Sequence, residues 1–362
     1  MHYIARMWPT PVRQPGAPGP WAALDGRARV LAMSGIVALV VATAATAWIS
    51  ARFGQPSTPV IYGTGESSGA VWTWDGAAYT MTRIDGAGPS SNDADMAYDP
   101  ALGALVLWDH GCGRLVMGFT GGCTEQVNRT WTWDGRTWTA RPARSSPVED
   151  GHGAMLSAGR LGGVVYVNGA GRAWAWTGGD WRALALPGAP RIPSHGSAAM
   201  ASTFAAGYDE GRGRLVLVLS TATWTWDGAA WNETAGGIDP AEARPDAHVV
   251  YDRARGELVY VGSRRTWTWD GAAWRPHDQP DIASGTLAYD AARRAVVLVQ
   301  ADASACDRSA CRTATWTWDG RSWTRVPIDA PPALPLMRSG AFPPPLAFDE
   351  SRNTLVLFAS AA

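Results

Sequence analysis

One aromatic motif returns six times along this chain and limits what it can fold into. It reads VWTWDGAAY from Val71, TWTWDGRTW from Thr130 and AWAWTGGDW from Ala173. It recurs as TWTWDGAAW from Thr223 and again from Thr266, then as TWTWDGRSW from Thr315. The first Trp of each copy falls at 72, 131, 174, 224, 267 and 316, giving steps of 59, 43, 50, 43 and 49 residues. A fixed period in this range marks one supersecondary unit stacked on its neighbours. Seventeen of the 21 Trp residues lie in these copies, so the Trp excess belongs to the repeat and not to a binding site.

A second element alternates with the first. It reads MAYDPALGALVLW from Met96, GYDEGRGRLVLVL from Gly207, VYDRARGELVYVG from Val250, AYDAARRAVVLVQ from Ala288 and AFDESRNTLVLFA from Ala347. The run from Gly163, GVVYVNG, takes its place once, without the Tyr-Asp pair. Each unit therefore offers a strand ending in Tyr-Asp, a polar turn, an aliphatic strand, a loop, a Trp strand, Asp-Gly and a last strand. Four short strands per unit are the pattern of a β-propeller blade. Because Tyr-Asp recurs in five units, it reads as a structural turn, with Asp capping the backbone that follows.

Asp-Gly suits a two-residue type I′ hairpin. On that register Trp133 faces Arg136 and Trp131 faces Trp138. The same spacing pairs Trp224 with Trp231, Trp267 with Trp274, Trp316 with Trp323 and Trp72 with Tyr79. Trp at alternate positions shares one sheet face, where it can bury against the next blade. The chain enters with a Trp hairpin at 70–82 and ends with LAFDESRNTLVLF from Leu346, so two half units complete a sixth blade. The expected fold is all-β, a six-bladed propeller over residues 60–362, closed by strands from both ends of the domain. Such closure removes exposed sheet edges.

The unit resembles a kelch-type blade, as in kelch-repeat and galactose-oxidase-like propellers. The likeness rests on the period, the spaced Trp, the aliphatic second strand and starts such as Asp150-GHGAM and Ala247-His248-VVYD. It covers about residues 60–362. This chain departs from the kelch pattern where that pattern has a Gly-Gly doublet, reading WDH, NGA, LST, GSR, QAD and ASA instead. The resemblance implies the propeller architecture and loops clustered on one face around a central channel. Galactose-oxidase chemistry implies copper-binding Tyr and His and a Cys joined to Tyr.

Val30 to Ile49 runs twenty residues without a charge, long enough to span the hydrocarbon core of a bilayer as a helix. Arg6, Arg13, Arg27 and Arg29 precede it and only Arg52 follows closely, which places residues 1–29 in the cytoplasm and the propeller outside. The expected organisation is a disordered tail (1–29), a transmembrane helix (30–49), a linker (50–59) and the propeller. Ala45-Thr46-Ala47 also resembles a cleavage site, and the alternative is a signal peptide that exports the same domain. Cys112 with Cys123, and Cys306 with Cys311, fall in equivalent loops of two blades; proximity favours those pairings as disulfides, which an exported domain permits. A four-thiolate zinc site would require the two loops to meet.

With 31 basic against 32 acidic residues, no basic excess suggests nucleic acid as a partner. No nucleophile elbow, zincin motif or phosphate-binding Gly-rich loop is present. By position, the residues expected on the ligand face are Asp93, Asp95, His110, His152, His195, His248 and Arg338. A metal shared by the histidines is not expected, because His195 lies 13 residues before its Tyr-Asp and His248 only three. The reading is a membrane-anchored extracytoplasmic interaction or sensing module without catalytic residues or cofactor, its partner an envelope protein or polysaccharide. A polysaccharide-binding domain and a galactose-oxidase-like or glycan-active enzyme are the alternatives.

Overall fold

The protein is described from a computed structural model. It covers residues 61–62, 70–84, 88–89, 93–116, 122–149, 153–190, 192, 204–219, 222–234, 236–242, 244, 247–282, 285–306, 310–335 and 344–359. The expected tail, transmembrane helix and linker lie outside them. Among the described residues no helix is long and apolar enough to cross a membrane.

Among those residues the strands form six antiparallel sheets, each built on four strands from the inside out; Ile61–Tyr62 adds a fifth strand to one sheet and Ala333–Pro335 to another. Blade 1 runs through Asp93–Asp99, Ala104–Val116, Gly122–Trp133 and Trp138–Arg141. Blades 2 to 5 begin at Ala154, Phe204, Val249 and Gly285. The sixth sheet is composite: Leu346–Asp349 and Thr354–Ala359 are followed by Ala70–Trp74 and Tyr79–Arg83. Its central pairing sets Ala70 opposite Ala359 and Trp74 opposite Leu355. The six innermost strands contact one another in cyclic order. The architecture is that of a six-bladed β-propeller.

The second strands each carry a run of consecutive apolar residues because both their faces are covered there. In blade 1, Leu105 and Leu107 pack towards blade 6, and Val106 and Trp108 towards blade 2. Leu215 and Leu217 of blade 3 likewise face blade 2, and Val216 and Val218 face blade 4. One apolar cluster thus fills each joint between blades. None of the seventeen repeat Trp residues is exposed, and the second Trp of every copy is at most 4% accessible. They are the mortar between blades.

The Trp hairpins differ from the expected two-residue turn. Trp133 pairs with Trp138, Trp226 with Trp231, Trp269 with Trp274 and Trp318 with Trp323, each across a four-residue loop. The second Trp, not the first, therefore meets the third, with ring centroids 5.2–5.6 Å apart. The cause is the Asp side chain. In Asp134-Gly135-Arg136-Thr137, Asp134 Oδ1 accepts the N–H groups of Arg136 and Thr137, both at 2.8 Å. This makes an Asx turn in place of a type I′ turn, and only the Gly takes positive φ.

A polar link crosses four of the six joints. Trp181 Nε1 donates to Thr130 Oγ1 at 2.8 Å, Trp274 to Thr223 at 2.7 Å and Trp323 to Thr266 at 2.7 Å. The Tyr79 hydroxyl does the same work with Thr315 at 2.9 Å. The Thr opening each TWTW copy is thus the acceptor for the next blade's outer aromatic. Where the motif lacks that Thr, at Val71 and Ala173, the corresponding Trp138 and Trp231 N–H groups have no hydrogen-bond partner. A buried orphan donor costs roughly 1–3 kcal/mol. Val71→Thr and Ala173→Thr are expected to stabilise the fold by about 1 kcal/mol each, read as a higher midpoint in chemical denaturation, and Thr266→Val to lower it. Unchanged midpoints in all three would show that these bonds contribute nothing.

The Tyr-Asp turns carry the matching link at the other end of the blades. Asp209, Asp252, Asp290 and Asp349 are at most 1% accessible, and each pairs with the Arg three residues on, at 2.7–2.9 Å. That Arg then lies on the Gly of the next blade's Trp turn. Gly320 shows why the residue is Gly: its φ is +96°, and a Cβ there would sit 2.0 Å from Arg255 Nε.

The cysteines do not occupy loops as expected. In blades 1 and 5 the second and third strands continue outwards as long hairpins, and Cys306 and Cys311 are joined by a disulfide across the tip of the second one. The side chains of Cys112 and Cys123 lie outside the described residues.

Candidate functional site

The innermost strands enclose an axial cavity of about 200 Å³. Its two ends differ. At the turn end, Arg253 donates from Nε to Glu210 and pairs through Nη1 with Glu350, both at 2.6 Å. The three residues come from blades 3, 4 and 6, so this link spans the floor, and Arg253 also lies 6.0 Å from the Tyr289 ring centroid. One cation there is shared by two carboxylates.

The mouth end is more acidic still. Asp93 and Asp95 lie on the first strand of blade 1, paired in register with His110 and Trp108 of the second. The alternation of the strands therefore sets both carboxylates and the imidazole on the face that Trp108 turns towards blade 2, and at the strand ends all three line the cavity. His110 Nε2 contacts Asp95 Oδ2 at 2.9 Å and Asp93 Oδ1 at 3.8 Å, and Nδ1 lies 3.8 Å from Glu149 Oε2. The His110 ring is stacked on Trp108, with centroids 4.0 Å apart at 24°. Trp108 is itself fixed by donating to Asn128 Oδ1 at 2.9 Å. Tyr166 meets Trp108 edge-on at 4.5 Å.

The electrostatics follow from this geometry. Burial opposes charge on His110, but the acceptor Asp95 and the nearby carboxylates of Glu149 and Asp93 outweigh it, raising its pKa to about 10. Burial pushes Asp93 up to about 6, with His110 pulling the other way. Burial, then the charges of Asp95, Glu149 and Asp93, raise the Tyr166 phenol. Three carboxylates face one imidazolium, and such a mouth favours cationic groups and hydrogen-bond donors.

Asp93, Asp95 and His110, singled out from sequence position, are brought together here, and His248 lines the same cavity. His152, His195 and Arg338 lie outside the described residues. Glu149, Tyr166 and the Trp108 platform were not foreseen. Glu149 directly precedes the Asp150-Gly-His start that drew attention, and Trp108 is the one Trp after residue 50 outside the repeat copies. Tyr166 carries no distinguishing signal, since it occupies an aliphatic-strand position.

No family model and no curated protein matches the chain. Among solved structures, similarity is found to an auxiliary nutrient binding protein from Bacteroides ovatus, at 12% identity over 82% of this chain and 78% of that one, TM-score 0.46. The structure of YjhT is similar at 11% identity over 75% and 99% of the two chains, TM-score 0.45. YCF48 bound to D1 peptide is similar at 13% identity over 84% and 95%, TM-score 0.38. Likenesses at these identities and superpositions carry no functional information.

Proposed function

We propose that this chain is an extracytoplasmic binding module of the cell envelope, anchored by residues 30–49, whose partner docks at the mouth end of the axial cavity. The observation that carries the reading is the asymmetry of that cavity. At the floor, Glu210 and Glu350 are each ion-paired with the one guanidinium of Arg253 at 2.6 Å. The mouth concentrates Asp93, Asp95 and Glu149 around His110. The uncharged run at 30–49, preceded by four Arg residues, supports export of the propeller. The kelch-like affinity of the blades belongs to the same proposal. An envelope protein presenting basic or amide groups suits the mouth better than a glycan held by the repeat Trp residues, because those are packed between blades.

Photo-cross-linking in intact cells tests this. Val148, 51% accessible, stands beside Glu149 at the mouth, and Leu102, 45% accessible, lies in a turn at the opposite end. A photoreactive residue at 148 is expected to capture a discrete partner, and one at 102 is not. Equal capture from both positions, or none from 148, would overturn the docking face.

A further inference from the structure

We propose that Asp93, His110 and Glu149 bind one divalent transition-metal ion at the mouth of the axial cavity. Each residue offers one donor atom, and the three atoms lie within 4.8 Å of one another. Two further observations point to a ligand.

The first is the state of His110. The residue is 5% accessible, and Asp95 holds its Nε2 at 2.9 Å. Its Nδ1 is buried with no hydrogen-bond partner and has Glu149 Oε2 3.8 Å away. A carboxylate on one imidazole nitrogen, with the other turned to an acidic cluster, is the arrangement that orients a metal-ligating His; the ion takes the place of the Nδ1 proton, which is released to solvent on binding. Trp108 fixes the ring plane by stacking.

The second is Tyr166. Its side chain is fully buried, its hydroxyl has no hydrogen-bond partner, and its ring lies 6.1 Å from that of His110. The hydroxyl fills the space where a Cβ on Gly153 would lie, 2.3 Å from it, and Gly153 lines the cavity. An ion with a coordinated water supplies what both orphaned groups lack.

One imidazole nitrogen with two carboxylates is a nitrogen–oxygen donor set without thiolate. It suits Zn²⁺ or Mn²⁺ and discriminates against the all-oxygen preference of Ca²⁺ and Mg²⁺. The site lies in the cavity that the proposed function takes as the docking end, and so rests on that reading.

The test is calorimetric titration of full-length protein, stripped with chelator, with Zn²⁺, Mn²⁺ or Ca²⁺ alone. One equivalent of Zn²⁺ or Mn²⁺ is expected to bind, and Ca²⁺ at least tenfold more weakly. Glu149→Gln, on a half-exposed side chain, and Asp93→Asn are each expected to weaken binding tenfold or more. His277→Gln, on the outer strand of blade 4, leaves it unchanged. No saturable binding of either transition metal, or binding undiminished in both carboxylate variants, overturns the inference. If partner capture at position 148 persists in that event, the docking face stands without the metal.

Discussion

Removal of residues 344–362 is expected to abolish cooperative folding. The deletion takes away both inner strands of the sixth sheet and leaves Ala70–Trp74 without the neighbour it pairs along. Phe348, Leu355, Val356, Leu357 and Phe358, all buried, leave with it. Burial of such side chains is worth roughly 1.5–3 kcal/mol each, and together they rival the ~5–15 kcal/mol stability of a whole domain. The loss also opens two apolar faces, Trp131–Trp138 of blade 1 and Ala288–Val299 of blade 5, which pack against these strands. Aggregation and a broad, featureless melt are the expected readouts. A truncated chain with an unchanged, cooperative thermal transition would mean that the ring does not depend on its C-terminal strands.

The second large effect is expected at the Asp–Arg links. Asp290 is fully buried, accepts the Arg293 N–H at 3.0 Å and pairs with its guanidinium at 2.7 Å. Arg293 in turn covers Trp74 of the next blade, 5.1 Å from its ring centroid. Asp290→Ala removes the turn cap and strands the Arg against an apolar joint. Breaking such a pair costs about 3 kcal/mol, the low end of the range for buried pairs because the guanidinium is partly exposed. Asp290→Asn combined with Arg293→Met keeps a backbone acceptor and removes both charges, and is expected to recover part of the loss. A double-mutant cycle from denaturant midpoints reads the coupling. An Asp290→Ala protein within 0.5 kcal/mol of the parent, the usual range for surface changes, would mean the link is ornamental.

What the sequence disclosed about this molecule divides along physical lines. Periodicity showed the strands and their sixfold order, because each blade repeats the same burial problem and solves it with the same residues. The Trp register was misjudged because Asp-Gly is compatible with two loop lengths. Asp134 chooses between them by accepting the Arg136 and Thr137 N–H groups, a preference that the dipeptide alone does not carry. Position along the unit picked out Asp93, Asp95 and His110, since the start of a first strand and the end of a second strand meet at one mouth. Glu149 escaped because it sits in a connection of irregular length, and Tyr166 because a buried Tyr in an aliphatic strand looks like packing until its hydroxyl is found without a partner. The alternation of Thr with Val71 and Ala173 in the motif was visible, but its meaning needed the Trp from the next blade.

The composite sixth sheet also sets a timetable for synthesis. Trp74 accepts from Thr354 across 280 positions of chain, and at about 5–20 residues per second the first hairpin waits roughly 15–55 s for its partner strands to be made. During that interval Val71 and Trp74, completely buried at the end, have no sheet to join. Contacts so far apart in sequence are slow to find. Blades 1 to 5 can each assemble from contiguous chain, so the last strand of the ring to be made is also the one that ends the exposure of its first hairpin.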